Sequence, residues 1–350
     1  MSALDVAIIG YGLAGSVFHA PLIAADPRLR VATVVTGSAE RAAQASREHP
    51  GVRVLPDPDA LFADPAGTAL VVVASPNRTH APLAALALDA GLPVVVDKPF
   101  TVTVAEAEDL VARAERAALL LTVFQNRRWD GDFRTVRRLV EEGVLGRVHR
   151  FESRFERWRP TPKGGWREVG GPADAAGILY DLGPHLVDQA LVLNGPVTGV
   201  YCELDRLRPG ISTDDDAFVA LHHASGARSH LWASALAPRL GPRFRVLGDR
   251  AGYQVDGLDP QEAALRDGRR PDDGKPWGTV DSAHWGTVGA EPDAEPVPTL
   301  PGAYPAFYTG VAAALLDGAP APVDPRDAIT GLRVLEAART SAETGAVVRL

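Results

Sequence analysis

The sequence predicts an α/β chain in two domains: an N-terminal doubly wound parallel sheet, then an α+β domain built on an open antiparallel sheet. Three observations carry that prediction. Short β-branched runs alternate with Ala-rich helical stretches through the first third of the chain. A G-x-G-x-x-G follows the first of those runs. After Phe124 the texture changes to short strand-like runs separated by turn signals. A chain of 350 residues is long enough for about two domains, placed at 1–124 and 125–350. With 46% hydrophobic and 23% charged residues, the composition is that of a folded globular protein.

The first domain reads in order. Val6-Ala7-Ile8-Ile9 is a buried strand, residues 13–25 a helix, and Val31 to Thr36 a second strand. A helix over Ser38 to Glu48 follows, with Ser38 as its N-cap. Leu70-Val71-Val72-Val73 and Val94-Val95-Val96 are continuous apolar strands, as expected where both sheet faces are covered. Between them Pro82 to Ala90 forms a helix closed by Gly91.

At the first strand-to-helix junction stands Gly10-Tyr11-Gly12-Leu13-Ala14-Gly15. Gly10 permits the tight turn, Gly12 removes a side chain from the path of a pyrophosphate, and Gly15 lets helix and sheet approach. Backbone amides around Leu13 and Ala14 face the phosphates. The motif therefore predicts a dinucleotide cofactor. An NAD site usually ends its second strand in Asp or Glu; here the tip is Thr36-Gly37-Ser38, and Arg41 follows one turn later. A 2′-phosphate would pair with Arg41 and be repelled by a carboxylate, so NADP is favoured over NAD. Ser75, Asn77 and His80 lie in the loop after Val73, where they could touch the cofactor or start the next helix.

The strand Val94–Val96 runs into Asp97-Lys98-Pro99. Lysine is rare here, three residues against 33 arginines, and Lys98 falls at the carboxyl end of a parallel strand, where such sheets bind ligands. Further on, Asp181 and His185 are four apart and share a helix face. Pro184 is expected near the start of that helix, with both residues at or before its first turn. A carboxylate beside an imidazole suits proton exchange near neutral pH.

The glycine motif, the acidic-Lys-Pro triplet and the Gly177–Gln189 segment together resemble the Gfo/Idh/MocA family of oxidoreductases. Most members carry Glu-Lys-Pro; this chain has Asp97 in the first place. The resemblance implies that Asp181 and His185 form the acid/base dyad and that Lys98 assists. The strings Gly12–Pro21, Gln125–Asp130, Trp166–Glu168 and Leu258–Glu262 resemble the subgroup of NADP-dependent scyllo-inositol dehydrogenases.

In the second domain, residues 129–142 read as an exposed helix and 147–156 as a strand. Further strands are expected at Val197–Leu204, Ala217–His222, Arg228–Ala233, Arg243–Leu247 and Gly252–Val255. Residues 259–298 read as an irregular excursion, and 304–317 and 325–344 as amphipathic helices. Residues 125–168 hold eleven Arg and one Lys against seven acids. Arg forks and aromatic walls suit a polyol or sugar, which makes Asn126, Arg127, Arg128, Arg157, Trp166, Arg167 and Tyr308 candidate substrate contacts. Salt bridges are the bland reading of most of those charges, and Tyr304 and Tyr308 would then be packing.

Several classes are excluded at this stage. The longest apolar runs are six residues, against ~18 for a bilayer span, and no basic, secretory-type leader precedes the first strand. A cytoplasmic protein without membrane contact is expected. Cys202 stands alone, so no intrachain disulfide or multi-cysteine metal site forms, and no metal is required. A net charge of −8 argues against nucleic acid. An open sheet must cover one face, which predicts a homodimer or homotetramer. The expected activity is hydride transfer between NADP and a secondary alcohol of a cyclic polyol or sugar. The alternatives are reduction of another keto sugar, an anhydro sugar or an imine, and a non-catalytic dinucleotide sensor on the same scaffold.

Overall fold

β1 (Leu4–Ile9), β2 (Leu29–Val35), β3 (Arg53–Leu55), β4 (Leu70–Val73), β5 (Val94–Val96) and β6 (Leu121–Val123) form one sheet. Its order is β3-β2-β1-β4-β5-β6, and every pair is parallel. This is the doubly wound dinucleotide-binding order, whose direction reverses between β1 and β4. The computed structural model describes residues 3–65 and 67–350 and, of these, all side chains but those of Trp166 and Pro172. Val71, Val72, Val73 and all of β5 are wholly buried, because helices cover both faces.

Ser38 caps the helix Ala39–Glu48, its side chain accepting from the Arg41 amide. The helix expected over 13–25 is instead a π-helical turn, Ala14–His19, running into an α-helix, Ala20–Ala24. Pro21 explains the change. It has no N–H to donate to the carbonyl four residues back, while the Ala20 amide reaches Gly15 O, five back.

Contacts divide the chain into two units. One holds the residues up to Asn126 with Gln261–Trp277 and Ala303–Ile329; the other holds Arg127–Pro260, Gly278–Gly302 and Thr330–Leu350. The first unit is thus discontinuous in sequence, which a single division at residue 124 does not anticipate. Within it, Gln261 Oε1 accepts from Trp277 Nε1 at 2.8 Å and from the Tyr304 amide at 2.7 Å, and Phe307 packs edge-on against Phe124.

The second unit is built on β7 (Val148–Glu156), β8 (Val197–Asp205), β9 (Asp216–His223), β10 (Arg228–Ser234), β11 (Phe244–Gly248), β12 (Gly252–Val255), β13 (Gly286–Gly289), β14 (Glu295–Val297) and β15 (Val348–Arg349). Their order is β14-β13-β12-β11-β7-β10-β9-β8-β15. All pairs are antiparallel except β7 with β10, which makes the sheet mixed. The helix Ile178–Asn194 lies in the connection between β7 and β8 and buries Leu179, Leu182, Leu186, Val187 and Ala190. On the sheet's other face the Phe218 and Trp232 rings pack at a tilt with centroids 5.2 Å apart, and the Arg154 guanidinium lies 3.9 Å over Trp232.

Three expectations need correction here. The helix Gly131–Glu141 is not exposed; Phe133, Val136 and Leu139 bury one face, as their spacing already allowed. Pro184 is inside its helix, so Asp181 is in the first turn but His185 is not; burial of that helix on the sheet offsets the lost bond. Residues 259–298 are not wholly irregular, containing the helix Gln261–Arg266 as well as β13 and β14.

Candidate active site

Gly10 ends β1 at φ +96°, and a Cβ there would lie 2.6 Å from Ala74 O. A Cβ on Gly15 would lie 2.1 Å from Gly10 O. Both must be glycine because backbone approaches backbone. Gly12 differs, since a Cβ there would meet nothing nearer than the Arg41 guanidinium, at 3.6 Å. The loop is therefore a cradle whose open floor is flanked by a cation, with Leu13 half exposed beside it. At the tip of β2, Thr36 Oγ1 accepts from the Ser38 amide at 3.3 Å, and no carboxylate stands there. This cradle fits a dinucleotide pyrophosphate, and the Arg41 edge fits added negative charge.

Two further loops leave the carboxyl ends of β4 and β5. In the first, Ser75 Oγ lies 2.6 Å from Thr79 Oγ1, and Asn77 is buried. In the second, the Asp97 amide donates to Val73 O, and the half-buried Lys98 follows. His80 ties the two together. It is wholly buried, with Nδ1 2.8 Å from Pro99 O and Nε2 2.9 Å from Ser75 O. Burial holds its pKa below the ordinary histidine value, although Asp97 and the carbonyls pull upward. Tyr308 is likewise wholly buried, with its hydroxyl 2.6 Å from His19 Nδ1.

In the second unit, Asp181 and His185 project from one helix. Asp214, which the sequence did not mark, builds its start: Asp214 Oδ2 accepts from the Leu179 amide at 2.7 Å and Asp214 O from the Ile178 amide at 2.9 Å. Burial raises the Asp214 carboxyl despite these bonds. Gly177, at φ +98°, makes room for it, since a Cβ would fall 2.1 Å from Asp214 Oδ1. Arg167, from the short helix Trp166–Val169, sets Nε 3.3 Å from Asp181 Oδ1. The side chain of Trp166 lies outside those described. His185 is buried, its ring 6.2 Å from that of Phe155.

Arg127 and Arg128 are not open forks for a polyol. Arg128 is bidentate on Asp188, at 2.6 and 2.9 Å, and Arg127 is buried 3.5 Å from Asp130. Around them Arg243 donates to Ser153 Oγ and Gln189 Oε1, lies 3.9 Å over the Phe155 ring, and sits 3.7 Å from Asp132. Burial pushes the Asp132 carboxyl up to about 6, with Arg243 pulling down and Asp259 adding to the rise. Sequence spacing could not show this cluster, because Arg243 and Asp259 come from distant segments. Asn126 is buried, and half-buried Arg157 donates its amide to Ser234 O at the end of β7. Among the described residues no three His, Cys, Asp or Glu side chains converge as a metal site, and no helix is long and apolar enough to cross a membrane.

Two family models match the chain: an oxidoreductase family with an NAD-binding Rossmann fold over residues 4–125, and the Gfo/Idh/MocA C-terminal domain over 133–254. The chain belongs to the Gfo/Idh/MocA oxidoreductases. Within that family it is 42% identical to the uncharacterized oxidoreductase YdgJ of Escherichia coli K12, covering 99% of each. It is 33% identical to the NADP-dependent scyllo-inositol 2-dehydrogenase IolW of Bacillus subtilis 168, over 100% of this chain and 97% of that one. Among solved structures, the oxidoreductase yvaA of Bacillus subtilis superposes with TM-score 0.93 at 32% identity, covering 100% of this chain and 99% of that one. The chain is therefore a dinucleotide-binding oxidoreductase of this family.

Proposed function

We propose that the protein is an NADP-dependent dehydrogenase of a cyclic polyol or sugar, acting on a secondary alcohol or its ketone. The observation that carries the cofactor reading is the Arg41 guanidinium over Gly12, beside a β2 tip without a carboxylate. When bound, the nicotinamide supplies the hydride acceptor. In oxidation His185 takes the hydroxyl proton, and Asp181, held by Arg167, orients the imidazole or the alcohol. Lys98 donates a hydrogen bond to the substrate oxygen and stabilises the alkoxide charge that develops there. Arg157 and Asn126 remain candidate contacts to substrate hydroxyls, and Ser75 and Asn77 to the cofactor. Likeness to IolW over the whole chain supports the substrate class.

A cofactor-reduction screen at alkaline pH with scyllo-inositol, myo-inositol, glucose and xylose, each with NADP and with NAD, tests this reading. Turnover with a polyol or sugar and faster reduction of NADP is the expected result. Tight NADP binding with no turnover on any of them would favour the sensor reading, and Lys98→Ala at undiminished rate would overturn the mechanism. We propose further that the Phe218–Trp232 face of the second sheet is covered by a second copy of the chain in a cytoplasmic homo-oligomer.

A further inference from the structure

A run of three buried or half-buried side chains leads from the end of the first unit back to the residue before Lys98. His19 closes the π-helical turn after the glycine loop and is wholly buried, its ring 4.3 Å from that of Phe124. Its Nδ1 lies 2.6 Å from the Tyr308 hydroxyl. Its Nε2 lies 3.4 Å from Asp97 Oδ1, longer than a full-strength hydrogen bond, and has no nearer acceptor among the described residues. Asp97 is 16% exposed at its side chain.

The proton positions in this chain follow from the groups themselves. An ionised carboxylate can only accept, so the hydrogen facing Asp97 must sit on His19 Nε2. In the neutral ring Nδ1 is then an acceptor, and the Tyr308 hydroxyl donates to it. Burial pushes the Tyr308 phenol far above its ordinary value, which keeps that hydrogen in place. The donors therefore point one way, from Tyr308 through His19 to Asp97.

We propose that Tyr308 and His19 are positioning residues that hold Asp97 as a carboxylate beside Lys98, so that the ammonium keeps a fixed anionic neighbour. The inference rests on the reading of Lys98 as the group that meets the substrate oxygen. Asp97 is faced by His19, by Lys98 and, from the helix His80–Asp89, by His80, with Tyr308 behind His19. Burial alone would raise its pKa; the contact with His19 first, together with the charge of Lys98, outweighs it and holds the carboxyl below its ordinary value. The Asp at this position matters here. Asp97 is one methylene shorter than Glu, so a partner must come to it, and His19 in its π-turn does so.

The test uses the scarcity of lysine. Reductive methylation with carbon-13 labels Lys98, Lys163, Lys275 and the amino terminus, and methylated amines keep their charge. In the wild-type protein the Lys98 methyl resonance, identified with Lys98→Arg, should show no titration step of Asp97 through the mildly acidic range. In His19→Leu that step should rise by about one pH unit or more, and in Tyr308→Phe by a smaller amount in the same direction. His19→Gln, which can still donate toward Asp97, should restore most of the shift. The Lys163 and Lys275 signals should not move. Tyr308→Phe removes one hydroxyl and keeps the ring, so it answers the question even where His19→Leu folds poorly. The acid limb of kcat should follow the same order, with KM for NADP little changed. Lys98 titration curves in His19→Leu and Tyr308→Phe that coincide with wild type would overturn the proposal. Shifted curves in a protein that turns over no polyol or sugar would support the positioning role and sink the functional reading instead.

Discussion

Arg41 is the side chain on which the proposed cofactor preference rests. Its guanidinium lies against the floor left by Gly12, while the β2 tip before it offers hydroxyls and no carboxylate. A 2′-phosphate there would gain a charge-assisted pair, typically about 1.5–3 kcal/mol. Arg41→Ala should weaken NADP by roughly tenfold or more and NAD much less, measured as Kd by fluorescence titration; equal losses would refute the assignment. Asp132 supports a second prediction. Its carboxyl is raised to about 6 by burial, against about 3.9 in an unfolded chain. Between those values the folded state binds the extra proton, so Asp132 costs stability above pH 6 and that cost fades as the pH falls toward about 4. Asp132→Asn should flatten this acid-side gain, seen in Tm measured from pH 7 to pH 4. An unchanged slope would show that another group carries it. Lys98, Asp181 and Arg41 were legible as residues because strand ends and helix spacing place them. The occupations of Arg128, His80 and Tyr308 were not, because Asp188, Pro99 and His19 reach them from remote parts of the chain.

At the scale of elements, local sequence rules held where the backbone alone sets the geometry. The glycine loop, the Ser38 cap and the ten strands that the pattern marked lie where it put them, within a residue or two at their ends, whereas the short strands β3, β6, β13, β14 and β15 were not marked. They failed where packing overrides propensity. Pro184 sits inside the helix Ile178–Asn194 at a nominal cost of about 3 kcal/mol. That helix persists because its apolar face is buried and Asp214 secures its first turn. Two glycines test this reading. Gly15→Ala would press a methyl into Gly10 O; it should destabilise the fold by about 1–3 kcal/mol and abolish dinucleotide binding. Gly177→Ala, at φ +98° and against Asp214, should lower both Tm and kcat while leaving NADP affinity near wild type. A Gly177→Ala protein with wild-type kcat would show that the helix start does not position Asp181.

At the scale of the whole molecule, the half-buried aromatic pair of Phe218 and Trp232 beside Arg154, on the face of the second sheet away from the helix Ile178–Asn194, is the feature that calls for a cover. Trp232→Glu should shift the protein toward monomer in sedimentation velocity, with the far-ultraviolet spectrum retained; an unchanged sedimentation coefficient would remove this face from the assembly. By itself the sequence determined the doubly wound sheet, the phosphate-binding loop, the lysine at the end of β5 and the change to a second sheet, because period, glycine placement and strand ends are local properties. Only the tertiary structure decided that 261–277 and 303–329 cluster with the first unit. It also decided that β7 and β10 run parallel, and that buried arginines, His80 and Tyr308 hold the scaffold. Those outcomes depend on which distant segments come together to satisfy buried charges and hydrogen bonds, and no local pattern encodes that pairing.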